Sequence, residues 1–167
     1  MKIAIDRGHG ARFDGGAVGI RREEDLIGAV ADCLVKRLRN AGQQIIETRP
    51  LWASSTINSL SRRCQTANNA NADIFVSLHF NAFNGQAHGT EVYAISSKGK
   101  AIAQKVVNNI ASLGYFNRGV KHQGFYVLRY TSMPAILVEG CFIDSQRDIN
   151  LFDADKIARA IATGLLQ

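Results

Sequence analysis

Short unbroken apolar runs alternate along this chain with longer stretches in which apolar residues recur every three to four positions. Nothing else in the sequence limits its fold so strongly. Ile3-Ala4-Ile5, Ile45-Ile46 running toward Thr48, Ile74 to Leu78, Glu91 to Ile95, Phe125 to Leu128 and Ala135 to Glu139 read as strands. Leu26, Val30, Leu34 and Leu38 predict a helix from Glu23 to about Asn40, closed by Gly42. Further helices are predicted from Leu60 to Asn69, with Ser59 the candidate N-cap, from Gly99 to about Leu113, and from Asp153 to Leu166. Strands written as continuous Ile and Val runs are buried on both faces, and their alternation with helices predicts an α/β fold. The expected architecture is three-layer: a largely parallel twisted sheet covered by helices on both faces. No repeat, linker or low-complexity tract interrupts the 167 residues, which are expected to form a single domain, 1–167.

Composition narrows the function classes. Lys and Arg number 20 against 14 Asp and Glu, a formal charge of +6. Such an excess draws a surface toward polyanions, but it is spread over both halves of the chain and no aromatic nucleic-acid-reading motif accompanies it, so no nucleic-acid partner is expected. Cys33, Cys64 and Cys141 are odd in number, widely spaced and free of any CxxC pair, which predicts buried reduced thiols. The first apolar run ends at Asp6 and no run approaches the ~20 residues of a membrane span, so neither a signal peptide nor a membrane partner is expected.

Ligand crevices of open α/β sheets lie beyond the carboxyl ends of the strands. The first strand delivers Gly8-His9-Gly10 to that edge, the strand at 74–78 delivers His79, the strand at 135–138 ends on Glu139, and the first helix begins at Glu23-Glu24. Two imidazoles and a carboxylate are a ligand set of catalytic zinc, and a further Glu is then free to act as base. A histidine at a strand end serves equally well as a hydrogen-bonded structural residue, so on the residues alone both readings stand.

In these motifs the chain resembles the zinc-dependent N-acetylmuramoyl-L-alanine amidases of the AmiC type, which include many phage endolysins. Four ordered matches carry the resemblance: Ile5 to Gly10, with Arg7 where the family most often has Pro; Glu23-Glu24-Asp25; Leu60 with Arg63, Ala67-Asn68 and Ser77 to Ala82; and Asn117 to Val120, Tyr126 to Leu128 and Pro134 to Glu139. The resemblance implies that His9, Glu23 and His79 bind one Zn2+. It also implies that Glu139 is the catalytic carboxylate, general base and then acid, in cleaving the amide between the lactyl group of N-acetylmuramic acid and L-alanine of the stem peptide. Peptidoglycan is then the partner, and a zinc amidohydrolase or peptidase acting on another amide is the alternative. Of the adjacent pair, Glu23 lies three residues before Leu26 and seven before Val30, on the buried stripe, whereas Glu24 is rotated by ~100°.

Arg118 is a candidate contact for a substrate carboxylate and His88 a candidate at the cleft mouth, while His122 reads as an exposed loop residue and Cys141 as a structural thiol rather than a nucleophile. Regulated periplasmic relatives carry an inserted segment after the strand-His motif. Only the ten residues Phe80 to Gly89 separate His79 from Thr90 here, so an open site needing no activator is expected. The chain is expected to be a monomeric catalytic domain without a separate cell-wall-binding domain. It is expected to be made in the cytoplasm and to reach the wall through holin-mediated lysis or as part of a larger exported protein. The basic excess would then supply weak attraction to an anionic wall.

Overall fold

A computed structural model describes residues 1–11 and 13–167. Its strands are β1 (Lys2–Arg7), β2 (Gln44–Glu47), β3 (Ile74–Asn81), β4 (Thr90–Tyr93), β5 (Asn117–Lys121) and β6 (Ala135–Phe142), joined in one sheet of order β2-β1-β3-β6-β4-β5. The helices are α1 (Glu23–Asn40), α2 (Thr56–Asn69), α3 (Ser97–Ala111), α4 (Tyr126–Arg129), α5 (Gln146–Leu151) and α6 (Ala154–Leu166).

The period of two along each strand sorts its side chains into two cores. Ile3, Ile5, Val76, Leu78, Ile136 and Val138 meet α1, α3 and α6 in one core. Ala4, Phe75, Ala135 and Leu137 meet α2 and α4 in the other. Helix α1 buries the stripe read from the sequence, Leu26, Ile27, Val30, Ala31, Leu34, Val35 and Leu38, and Gly42 follows it at φ +74°. The three-layer α/β expectation therefore holds. The sheet is mixed, however: β1 pairs in parallel with β2 and β3, β3 with β6 and β4 with β5, while β4 runs antiparallel to β6.

Local differences from the sequence reading have physical causes. Residues 125–128 form no strand; Tyr126–Arg129 is a single helical turn. Both neighbours of β6 are already taken by β3 and β4, so an apolar run there has no interior strand to pair with, and Val127 and Leu128 instead pack into the α2 core. Strand β5 escapes the sequence reading because its residues, NRGVK, carry no apolar run. Helix α2 starts four residues earlier than expected, capped by Ser55, whose Oγ accepts from Asn58 N at 3.1 Å. Ser59, the expected cap, is buried inside the helix. No described helix is long and apolar enough to cross a membrane.

Candidate metal centre and active site

Three elements bring three donor groups to the carboxyl edge of the sheet. After β1 the chain turns sharply, with Gly8 N donating to Leu78 O at 3.1 Å. The turn passes so close to β3 that a Cβ on Gly8 would run into the His79 ring, which is why glycine stands there. His9 follows in the left-handed region at φ +56°, and its Nδ1 lies 2.8 Å from Asp14 Oδ1. That contact fixes the ring and leaves Nε2 turned inward, 3.2 Å from Glu23 Oε1. Glu23, the first residue of α1, is buried; its Oε2 accepts from Ala17 N at 2.8 Å and its Oε1 from Phe80 N at 3.1 Å. His79 Nδ1 lies 3.1 Å from the same Oε1. The imidazoles meet edge to face at 4.7 Å, and one ligand atom from each of the three residues lies within 4.8 Å of the others.

This donor set fits a metal ion. Burial alone would raise the Glu23 carboxyl, but hydrogen bonds from His79, His9 and Ala17 N hold it well below the ordinary carboxylate range. Burial alone would lower His9, yet Asp14 and Glu23 push it up to about 10. The site is thus built to stabilise positive charge between an ionised carboxylate and two ring nitrogens, which is what a bound cation requires. Glu24 is elsewhere, 3.5 Å from Arg22.

Glu139 stands opposite His79 in the β3–β6 register. Its Oε2 is buried without a hydrogen-bond partner among the described residues. Burial, followed by the charges of Glu23 and Glu91, pushes this carboxyl up to about 8 despite the opposing effect of His9. A cavity of about 300 Å³ is lined by His9, His79 and Glu139 together with Leu60, Phe125 and Tyr126.

Sequence reading assigned no role to three residues that support this centre. Arg63 is fully buried; its Nη1 donates to Asp6 Oδ1 at 2.6 Å and to Arg7 O, and its Nη2 donates to His9 O at 2.6 Å. The guanidinium therefore holds the His9 turn by its backbone. Asp14 holds the same turn by the ring. Glu91, buried on β4, faces Glu139 across the antiparallel pair and accepts from Asn81 Nδ2, Tyr93 Oη and Arg118 Nε. A lone Glu inside the strand Thr90–Tyr93 was the visible signal for it.

The remaining candidates lie apart from the cluster. Arg118 is committed to Glu91 at 2.8 Å, with its guanidinium 5.0 Å from the Phe142 ring centre. His88 packs on Phe116 with Nε2 3.2 Å from Arg147 Nη1, and neither His88 nor Arg118 lines the cavity. His122 is exposed. Cys141 is buried and unbridged, and burial, with the charges of Asp148 and Glu139, pushes its thiol far up, against any nucleophilic role.

Comparison with known proteins bears on the fold and the family. The chain is 34% identical over 175 residues to the N-acetylmuramoyl-L-alanine amidase LytC of Bacillus subtilis, covering 97% of this chain and 34% of LytC. Among solved structures, the catalytic domain of the CD27L endolysin targeting Clostridia difficile superposes with a TM-score of 0.91 at 26% identity, covering 99% of this chain and 97% of that one. The amidase AmiC2 of Nostoc punctiforme gives a TM-score of 0.87 at 34% identity, covering 99% and 95%. Among curated relatives the chain spans 51% of a Clostridium perfringens protein and only about a third of LytC. The profile of the Amidase_3 family, described as N-acetylmuramoyl-L-alanine amidase, matches residues 3–167, and the chain belongs to that family.

Proposed function

We propose that this chain is the catalytic unit of a zinc-dependent N-acetylmuramoyl-L-alanine amidase that cleaves the amide between the lactyl group of N-acetylmuramic acid and L-alanine in peptidoglycan. The observation that carries the reading is one constellation: His9, Glu23 and His79 within ligand distance of each other, beside a buried Glu139 whose Oε2 has no partner among the described residues. Family membership supplies the substrate class.

His9 through Nε2, His79 through Nδ1 and Glu23 through its carboxylate would hold the zinc ion. Zinc bound there supplies Lewis-acid polarisation of the scissile carbonyl and acidifies water. Glu139 does the proton work. Its raised pKa makes Oε2 a base able to take a proton from the attacking water and an acid able to pass that proton to the departing alanine amine. Asp14 and Arg63 keep His9 in place through the cycle, and Leu60, Phe125 and Tyr126 give the cavity a largely apolar wall on one side of the centre. Arg118 and His88 stand as candidate outer substrate contacts at the β4–β5 end of the edge.

Digestion of purified peptidoglycan tests the reading. The expected products carry new free amino groups on alanine and no new reducing sugar ends, and the protein as purified with zinc contains about one metal ion per chain. Release of reducing ends, or of amino groups from other residues only, overturns it.

A further inference from the structure

The catalytic edge carries several arginines, and they differ in what they hold. Arg63 is bound to Asp6 and the His9 carbonyl, Arg7 to Asp32 and Glu47, and Arg118 to Glu91. Arg49 has no acceptor among the described residues, although it is half-buried. Its position is dictated by the residue before it. Thr48, buried at the end of β2, donates through its backbone N to Ile5 O at 3.1 Å and through Oγ1 to Asp6 Oδ1 at 3.0 Å, which locks the chain against β1 as it leaves the sheet. The Arg49 guanidinium then lies along Gly10, the residue after the ligand His9. Gly10 is at φ +77°, and a Cβ built on it would collide with Arg49 Nη1. Glycine at position 10 thus clears a seat for this guanidinium against the ligand turn.

We propose that Arg49 is the carboxylate-binding site of this enzyme, taking the first free carboxylate of the stem peptide, on the residue after L-alanine. The inference rests on the amidase reading above and deepens it by assigning the direction in which the substrate lies. At the β6–β4 end the edge presents two carboxyls, Glu139 and Glu91, and its nearby cation Arg118 is already paired. Arg118 is thereby neutralised by Glu91 and offers an anionic peptide no free charge, whereas Arg49, without an acceptor among the described residues, offers one toward β2. Lengths agree with that direction. Strands β2 and β3 flank β1, so their ends are about 10 Å apart at about 4.8 Å per strand spacing. By leaning over the turn after β1, Arg49 closes part of that gap. An extended peptide advances about 3.5 Å per residue, so a carboxylate about 7 Å beyond the scissile amide comes within reach of the guanidinium. Arg suits the task because its planar fork grips a carboxylate through two parallel N–H donors.

The test compares two synthetic muropeptides bearing L-alanyl-γ-D-glutamyl-L-lysinamide, one with the glutamate α-carboxylate free and the other with that carboxylate amidated, so that no other peptide carboxylate is present. The zinc-loaded wild-type protein is expected to show a KM about 10- to 100-fold lower for the acid than for the amide, the range for a hydrogen bond to a charged group. Arg49→Gln is expected to raise KM for the acid to the level of the amide, leaving kcat and the amide KM within about twofold, and Arg49→Lys to fall between. Calorimetric binding to Glu139→Gln protein should show the same acid preference, lost when Arg49→Gln is added. Equal KM values for the two substrates in wild type overturn the proposal, as does an Arg49→Gln variant that changes both substrates alike or neither. Failure of wild type to cleave either muropeptide sinks the amidase reading and this site together, an outcome distinct from failure of Arg49 alone.

Discussion

Glu139 and Glu23 are chemically identical side chains that the fold drives to opposite ionisation states. Glu23 receives two backbone N–H donors and faces two imidazoles, whereas Glu139 is buried with Oε2 unpartnered among the described residues and faces other carboxyls. Replacing Glu139 by Gln keeps the shape and removes the proton shuttle. The variant is expected to bind zinc as wild type does, by metal analysis, while turnover falls by about 10²- to 10⁴-fold. The same carboxyl gives the metal-stripped protein a pH signature. Its folded pKa, about 8, lies above its ordinary value of 4.5, so the folded state holds the proton more tightly and its contribution is present in full at low pH. That contribution is lost as pH rises from about 4.5 through about 8. Stripped Glu139→Gln is therefore expected to melt above stripped wild type at pH 9 and to match it near pH 4.5; the reverse order would contradict the assigned environment. Asp14→Ala, which frees the His9 ring, is expected to weaken zinc binding by about 10- to 100-fold in a chelator competition. At this scale the apolar runs singled out His9, His79 and Glu139, although β3 and β6 continue past His79 and Glu139 to Asn81 and Phe142. Helical phase chose Glu23 over Glu24, and the roles of these residues came from the family resemblance. The roles of Arg63 and Asp14 were not legible, because Arg63 acts through contacts more than fifty residues away in sequence and Asp14 through a turn whose geometry apolar periodicity does not encode. Glu91 was visible as a lone strand glutamate, but its cross-strand partner was not.

Among the elements, the connection between β3 and β4 is held tightly to its neighbours. Asp144 accepts from Phe83 N and Gly85 N, Asn84 caps its own turn at Gln86 N and Ala87 N, and the buried Asp148 accepts from Gly89 N. So many backbone anchors within so short a loop hold it close to α5 and the end of β6. The chain is accordingly expected to reach full turnover on peptidoglycan alone. A large stimulation by an added activator protein would contradict it. The misread element is equally instructive. Phe125 to Leu128 has the composition of a strand, but with both sides of β6 occupied its apolar residues are worth more as a helical turn against α2, where Phe125 and Tyr126 also line the cavity. Periodicity cannot distinguish a short buried strand from a single helical turn, and only the pairing order of the sheet does so.

For the molecule as a whole, fold class was legible and strand direction was not. Continuous Ile and Val runs announce burial on both faces whichever way a strand points, so the reversal at β4 left no mark in them. The formal charge of +6 belongs to this scale too. If it aids encounter with an anionic wall, binding to isolated sacculi should weaken between about 0.1 M and about 1 M salt, as the screening length falls from about 10 Å to about 3 Å. Binding that is indifferent to salt in a sedimentation assay would assign the affinity to the cleft alone. The reversal at β4 has a consequence of another kind. Because β4 runs against β3 and β6, the chain both leaves β3 and enters β4 on the catalytic side of the sheet. Residues 82–89 therefore form a port on that side of the sheet at which new sequence can be spliced while every strand pairing stays as it is. A designer wishing to gate this enzyme with a removable plug would graft it there.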